Sequence, residues 1–147
     1  MNCERLMTKD PVCCLPGDTV QKAAQLMKVE NIGPIPVIVD ENNRTLVGIL
    51  TDRDLALRVV AEGRDPGSTT VKDVMTTGAI SCRAGDDLQE ALYAMERFQI
   101  RRIPVVNSNE EIVGIIAQAD IAIRLQSSAH TAEVVEEISK SRVAGAD

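Results

Sequence analysis

The chain of 147 residues has almost no aromatic side chains: one tyrosine, one phenylalanine and no tryptophan. A protein that stacks nucleic-acid bases on aromatic rings is therefore not expected. The single histidine, His130, leaves no histidine-rich metal site and only one imidazole for acid–base catalysis. No apolar run reaches the ~18 residues of a transmembrane helix, and the amino-terminal residues do not form a signal-peptide pattern. The composition thus argues against an enzyme and against a membrane protein.

Positive charge is also scarce, because 16 lysines and arginines face 22 aspartates and glutamates, a formal net charge of −6. Such a chain lacks the positive field that draws proteins to nucleic acid. Its four cysteines have no spacing typical of a zinc site. The simplest interpretation is that they are small buried apolar side chains, and a redox role for Cys13, Cys14 or Cys82 is the alternative. Unpaired thiols favour a cytoplasmic location.

The most informative feature is an internal repeat. Met7-Thr8 recurs 68 residues later as Met75-Thr76. Further along, the offset falls to 66, because the second copy has lost two residues from the polar stretch Asp40–Thr45. The other residues that match at the first offset are Cys14 and Cys82, Gly17 and Gly85, Asp18 and Asp86, Gln21 and Gln89, Ala23 and Ala91, Met27 and Met95, and the Ile-x-x-Ile-Pro-Val sets Ile32–Val37 and Ile100–Val105.

Each copy predicts a strand, a helix, two strands and a closing helix, so the expected fold class is α/β with tandem β-α-β-β-α repeats. Pro11–Leu15 is a short apolar run that predicts the first strand. Asp18 and Asp86, each with a glutamine three residues later, predict the N-caps of the helices that follow. The remaining predicted features are helix faces at Val20, Ala23, Ala24 and Met27 and at Leu88, Ala91, Leu92 and Met95, strands at Pro36–Val39, Leu46–Leu50, Pro104–Val106 and Ile112–Ile116, and closing helices that begin near Asp52 and Gln118.

Two copies of about 60 residues each bury their own surface poorly, so they are expected to pack as one pseudo-symmetric body. We expect this pair to occupy residues 1–126, with motif one at 3–61, a linker at 62–70 and motif two at 71–126. A polar helix or tail follows at 127–147. The closing helices are apolar on more than one face, which predicts a homodimer through them; burial within one chain is the alternative.

The sharpest motif is Gly48–Asp54, which reads Gly-Ile-Leu-Thr-Asp-Arg-Asp where a strand passes into a helix. It supplies a hydroxyl at Thr51, free backbone N–H groups, and a carboxylate at Asp54. A phosphate suits the first two groups and a ribose diol suits the carboxylate. The same Thr-x-x-Asp spacing is also a capping box, which satisfies helix amides without any ligand. Both interpretations remain open.

These motifs, in this order and present twice, resemble the CBS-domain pair, also called the Bateman module. The resemblance covers about residues 3 to 126. It is carried by Leu6-Met7-Thr8 and Val74-Met75-Thr76, by Ile32–Val37 and Ile100–Val105, and by the turns Gly48–Asp54 and Gly114–Asp120.

The resemblance implies a regulatory module that binds AMP, ADP, ATP or S-adenosylmethionine and acts on an unidentified protein partner. In one site it implies that Asp54 holds the ribose and Thr51 the phosphate, and in the other that Asp120 holds the ribose. Arg101 and Arg102 lie where family members place phosphate-binding side chains. The residues that it implies around the adenine are Met75, Ile80, Ile100 and Ile103 in the first site and Met7, Val12, Ile32 and Ile35 in the second.

The two copies are not equivalent. Ala117 stands where the motif expects threonine or serine, and Gly33-Pro34 replaces the two arginines. We therefore expect one competent site at Thr51 and Asp54, and a weaker or empty site at Asp120. Arg53 would either help to neutralise a phosphate or be a solvated helix-end charge.

No cofactor is expected to be obligatory. Mg²⁺ that accompanies a nucleotide could lie at Asp52 and Asp54, although solvated carboxylates are ordinary at a helix start. Two competing functions remain: a dimeric interaction protein with degenerate ligand sites, and a thiol redox sensor.

Overall fold

The computed structural model describes residues 1–127, so the predicted carboxy-terminal helix Ala132–Ser141 and His130 lie outside the described residues. Its helices are α1 (Cys3–Leu6), α2 (Val20–Glu30), α3 (Asp52–Leu55), which continues as a π-helical turn at Ala56–Val60, α4 (Val71–Val74), α5 (Leu88–Phe98) and α6 (residues 118–127). Its strands are β1 (Thr8–Lys9), β2 (Ile35–Ile38), β3 (Leu46–Leu50), β4 (Cys82–Arg83), β5 (Arg102–Val106) and β6 (Ile112–Ala117).

The strands form two sheets, one of four strands in the order β1-β6-β5-β4 and one made of β2 and β3. The pairs β2–β3 and β5–β6 are antiparallel hairpins, as the repeat predicts, and β4 runs parallel to β5. Polar turns join the strands of each hairpin. The two turns also pair with each other, since Leu46 N–H donates to Glu110 O at 3.0 Å and Ile112 N–H donates to Arg44 O at 2.9 Å. The mixed α/β fold class is therefore confirmed.

The strand predicted at Pro11–Leu15 is wrong. Only Cys14 pairs, in an isolated parallel bridge with Val37. Pro11 and Pro16, which flank these residues, have no N–H to donate to a strand ladder, so the segment is a poor strand former. In the second copy the equivalent pairing involves two residues, which form β4.

The predicted N-caps are also wrong, by one residue each. Thr19 caps α2 by accepting from Lys22 N–H, and Asp87 caps α5 by accepting from Gln89 N–H. Asp18 instead accepts from Leu15 N–H at 2.9 Å, and Asp86 accepts from Arg83 N–H at the same distance. These carboxylates close the turn before each helix, a local bond that competes with capping.

Helices α2 and α5 each bury one face, in line with their periodicity. Val20, Ala23 and Met27 are buried in α2, whereas Ala24 is exposed, contrary to the prediction, and Leu26 packs partly against the core. Leu88, Ala91 and Met95 are buried in α5, with Leu92 partly buried. The apolar stripe of α2 is thus narrower on one side than the sequence indicates, because nothing packs over Ala24.

Each half of the chain has its own hydrophobic core, and each core takes one helix from the opposite repeat. Cys3 of α1 belongs to the core of the second half, and Val71 and Val74 of α4 belong to the core of the first. We call these the first core (Cys14, Val20, Ala23, Met27, Ile35, Val37, Leu50, Val59, Val71 and Val74) and the second core (Cys3, Cys82, Leu88, Ala91, Met95, Ile103, Val105, Ile116 and Ile121).

Backbone pairing holds the exchanged segments, residues 1–9 and 70–76, in place. Thr8 pairs with Ile115 of β6, and Thr76 makes the equivalent bridge to Ile49 of β3. Val71 N–H donates to Asp18 O at 2.8 Å. The linker that precedes α4 is fixed to the start of α2 at Thr69, whose carbonyl accepts from Val20 N–H at 2.9 Å. The two halves therefore share their amino-terminal pieces reciprocally.

Candidate functional site

Thr51 and Asp54 form the start of α3 and satisfy each other there. The Thr51 hydroxyl oxygen accepts from Asp54 N–H at 3.1 Å, and Asp54 Oδ2 accepts from Thr51 N–H at 3.0 Å. This is a complete capping box. The structural role that the Thr-x-x-Asp spacing predicts is therefore present.

The capping box leaves one donor and one acceptor unused. A threonine hydroxyl that accepts a hydrogen bond still has its own proton to donate, and a carboxylate has a second oxygen. The second oxygen of Asp54, Oδ1, lies 3.9 Å from Nε of Arg58, and the Asp54 side chain is only 13% exposed. Hence a hydroxyl donor and a carboxylate acceptor lie on the same turn, close to the surface.

Arg58 is a site residue that the sequence reasoning missed. Its Nη1 donates to Val74 O at 3.1 Å and to Met75 O at 3.5 Å, while its Nε faces Asp54. The side chain thus joins the start of α3 to the end of α4. Its spacing of four residues from Asp54 on a helix was the available signal.

The residues expected around the first adenine are divided between the two cores. Met75 packs against the first core and lies over Gly48 of β3. Ile80 and Ile100 are partly buried against the second core, and Ile103 is a fully buried member of it. Of these residues, Met75 is linked to the Thr51–Asp54 turn by Arg58, which donates to the Met75 carbonyl and faces Asp54.

The second predicted site differs in its chemistry. Ala117 has no hydroxyl at the start of α6, and Asp120 is exposed. Met7 packs over Gly114 and against the second core, as Met75 does in the first half. The other predicted lining residues lie in the first half: Val12 is half-buried, Ile32 packs partly against the first core and Ile35 is fully buried in it.

The predicted cationic residues are at the surface. Arg53, Arg101 and Arg102 are exposed, and within residues 1–127 none of their guanidinium groups makes a hydrogen bond or an ion pair. The backbone of Arg101 lies beside α6, because its carbonyl accepts from Gln118 N–H at 2.7 Å. The two adjacent arginines therefore stand at the beginning of the helix that carries Asp120.

Within the described part of the chain, no group of three or more histidine, cysteine, aspartate or glutamate side chains is placed to hold a metal ion. Asp52, which the sequence offered as a partner for Mg²⁺, accepts from Arg53 N–H at 3.0 Å and lies against Gly33. Over the same residues, no helix has the length and apolar character needed to cross a bilayer.

All four thiols are free, and they differ in environment. Burial, with a smaller contribution from Asp18, raises the pKa of Cys14 to about 12. Burial also raises the pKa of Cys13, although Arg44 Nη2 donates to its sulfur at 3.5 Å. Neither of these adjacent cysteines is therefore a ready thiolate at neutral pH.

A family model described as the CBS domain matches the chain twice, over residues 3–61 and 71–127. The CBS domain-containing protein YhcV of Bacillus subtilis is 40% identical to it over 137 residues, which span 93% of this chain and 94% of YhcV.

Two solved structures are similar along most of the chain. One is a crystal structure of Hypoxic Response Protein I with two coordinated zinc ions, 34% identical with a TM-score of 0.75, covering 83% of this chain and 97% of that one. The other is the CBS domain pair of protein MJ0100 in complex with 5′-methylthioadenosine and S-adenosylmethionine. It is 25% identical with a TM-score of 0.75, and covers 85% of this chain and 99% of that one.

Proposed function

The chain belongs to the CBS-domain family and carries the domain as a tandem pair, and from this we propose that it is a regulatory module that binds an adenosine-containing ligand at the Thr51–Asp54 turn. The ligand class includes S-adenosylmethionine, 5′-methylthioadenosine and AMP. The complex of the MJ0100 domain pair with the first two supports this class. The proposed module acts on a protein partner rather than as an enzyme, in the cytoplasm.

The observation that carries the proposal is the unused hydrogen-bonding capacity of the capping box. Thr51 keeps its hydroxyl proton to donate to a phosphate or carboxylate of the ligand, and Asp54 keeps Oδ1 to accept from ribose hydroxyls. Nε of Arg58 is 3.9 Å from that oxygen, so no short ion pair occupies the acceptor, and Arg58 can keep its bonds to Val74 O and Met75 O when a ligand binds. Capping and ligand binding are therefore compatible at this turn.

Signalling follows from the way in which the two repeats share their segments. Met75 ends α4, which comes from the second repeat but packs in the first core, and Arg58 joins it to Asp54. A ligand that contacts both Asp54 and Met75 would favour one relative position of the two repeats. Such differential binding is what a ligand needs in order to change the shape that a partner meets.

The experiment is a thermal-shift panel of S-adenosylmethionine, 5′-methylthioadenosine and adenine nucleotides, with and without Mg²⁺, followed by calorimetry. A ligand at 100 times its dissociation constant adds ~2.7 kcal/mol, a rise in Tm of roughly 6–10 °C for a chain of this size. Asp54→Asn tests the site, because the amide oxygen still accepts from Thr51 N–H while the carboxylate is lost. The ligand-induced shift should vanish in this variant.

Asp120→Asn is the matched control, since it makes the same change in the turn that has no hydroxyl. It should retain most of the ligand-induced shift. No shift with any adenosine-containing compound, or equal shifts in Asp54→Asn and the original chain, would overturn the proposed site.

A second candidate function is a dimeric interaction protein. It is favoured by the exposed apolar side chains of the closing helices: Leu57 is 51% exposed, Val60 74%, Ile123 62% and Leu125 40%. Contiguous patches of large apolar groups are costly to leave in water and are typical of an interface, and both closing helices expose such groups. In this function the Thr51–Asp54 pair would serve as a cap alone.

Sedimentation velocity separates an interface on the closing helices from ordinary surface exposure. Val60→Glu should convert a dimer into a monomer, whereas Val29→Glu, a control on α2 where the side chain is 78% exposed, should leave the dimer intact. A monomer before any substitution would exclude the homodimer.

A further inference from the structure

Two cysteines from different repeats meet inside the second core. Cys3 lies on α1 and Cys82 on β4, and their sulfur atoms are 3.8 Å apart, with the Cys82 thiol donating to Cys3. Cys3 is 0% exposed and Cys82 6%. They are separated by 79 residues in the sequence, so only the packing of α1 onto the second half brings them together.

We propose that Cys3 and Cys82 form a reversible disulfide with a low-molecular-weight disulfide as the oxidant, and that this bond fastens the amino-terminal exchanged segment to the second core. The pair is independent of the Thr51–Asp54 turn and of any adenosine-containing ligand. It differs from the thiols of Cys13 and Cys14, which are neighbours in the sequence and lie in the first half.

Access to the buried thiols comes from fraying of α1. This helix has only four residues, so few backbone hydrogen bonds must break for it to open locally. Its backbone is attached by Cys3 N–H donating to Asp86 O at 2.8 Å and Glu4 N–H donating to Ala84 O at 2.9 Å. Leu88 N–H also donates to Met1 O at 3.1 Å, Asn2 bridges to Asp87, and β1 pairs with β6. When these bonds open, Cys3 becomes accessible to a reagent while the rest of the second core stays closed.

The disulfide forms in two steps of thiol–disulfide exchange. The Cys3 thiol loses its proton to water, and its thiolate attacks one sulfur of oxidised glutathione and releases one glutathione thiolate. The Cys82 thiol then loses its proton, and its sulfur attacks the mixed disulfide at Cys3 and releases the second glutathione. The net change is two protein thiols and one glutathione disulfide converted into one protein disulfide and two glutathione thiols.

The environment of the pair supports this order of attack. The hydrogen bond from Cys82 lowers the pKa of Cys3, although burial and the nearby carboxylates of Asp86, Asp87 and Glu90 oppose the effect. The same hydrogen bond, together with burial, raises the pKa of Cys82. Cys3 is therefore the better nucleophile and Cys82 the residue that resolves the mixed disulfide.

The disulfide would also hold the residues that follow α1 close to the second half of the chain. Met7 and Thr8 follow directly after this helix; Met7 packs over Gly114, and Thr8 pairs with Ile115. A covalent link at Cys3 keeps these residues close to β6 even when their own bonds open. Since the linked loop is long, the restriction on the unfolded chain is large.

The test uses the full chain, reduced and then incubated with oxidised glutathione under native conditions. We expect the mass loss of two hydrogen atoms, a linked peptide pair that contains Cys3 and Cys82, and a rise in Tm of roughly 5–15 °C. Dithiothreitol should reverse all three. Cys13→Ala and Cys14→Ala are the matched controls and should still form the link.

Cys82→Ala provides a second readout that does not depend on the final bond. In this variant the first step should occur without the second, so that a glutathione adduct accumulates on Cys3. The absence of a linked peptide in the folded chain, a link that forms only in urea, or an adduct confined to Cys13 in Cys82→Ala would each overturn the proposal.

Discussion

The sulfur of Met75 lies so close to the backbone of Gly48 that a β-carbon at residue 48 would come within 2.8 Å of it. The same β-carbon would lie 2.8 Å from the carbonyl oxygen of Thr76. Thr76 cannot easily withdraw, because it exchanges two backbone hydrogen bonds with Ile49, at 2.9 and 3.0 Å. A residue without a side chain at this point of β3 therefore lets the exchanged segment pack against it.

Substituting Gly48 tests this close approach. We expect Gly48→Ala to lower the free energy of unfolding by about 1–3 kcal/mol, the usual cost of forcing a methyl group into a packed contact. Urea unfolding measures the change. Gly17→Ala is the control, because a β-carbon there has nothing within 4 Å. It should be neutral or slightly stabilising, and a similar loss in both variants would contradict the argument.

The missing hydroxyl at Ala117 leads to a second prediction. Ala117 precedes α6 and stands three residues before Asp120, so Ala117→Thr would recreate the Thr-x-x-Asp capping box found at Thr51. We expect it to raise the free energy of unfolding by about 0.5–1 kcal/mol. Ala117→Val has nearly the same shape without the hydroxyl. If both variants raise the free energy of unfolding equally, packing rather than capping is the cause.

The buried thiol of Cys14 should make the free energy of unfolding fall as the pH rises into the alkaline range. An unfolded thiol ionises near pH 9, whereas burial raises the pKa of Cys14 in the folded chain to about 12. Between these values the unfolded state binds fewer protons, so the contribution of Cys14 is complete below pH 9 and falls as the pH rises toward 12. The slope approaches about 1.4 kcal/mol per pH unit at most.

Urea unfolding from pH 8 to 11 measures this slope. Cys14→Ala should be less stable at pH 8 but should lose stability less steeply as the pH rises. Val37→Ala is the control, since Val37 is the bridge partner of Cys14 in the first core and does not titrate. An unchanged slope in Cys14→Ala would show that the pKa of Cys14 does not differ between the folded and unfolded chain.

Several features followed from the sequence because they depend on neighbouring residues. The hairpin of β2 and β3, the buried faces of the two long helices apart from Ala24, and the Thr51–Asp54 capping box are confirmed. Each is encoded by a spacing of two to four residues. The same local signals misplaced the N-caps at Asp18 and Asp86, because an adjacent threonine or aspartate competes for the same amide groups.

The arrangement around the candidate site could be predicted only in part. The turn itself was found, but Arg58 was not, because its partners Val74 and Met75 belong to the other repeat. Ile103 and Ile35, expected beside adenine, are fully buried in the two cores. An apolar residue has the same pattern whether it lines a cleft or fills a core, and only the packing around it distinguishes the two.

The sequence by itself determined that this chain is one unit written twice, since repetition and periodicity are properties of order along the chain. Only the tertiary structure decided that each core borrows a helix from the other repeat, and that Cys3 meets Cys82. Such contacts join residues tens of positions apart, and a hydrophobic residue carries no mark of its distant partner. Their energy comes from burial and close packing, which exist only once the two halves have folded together.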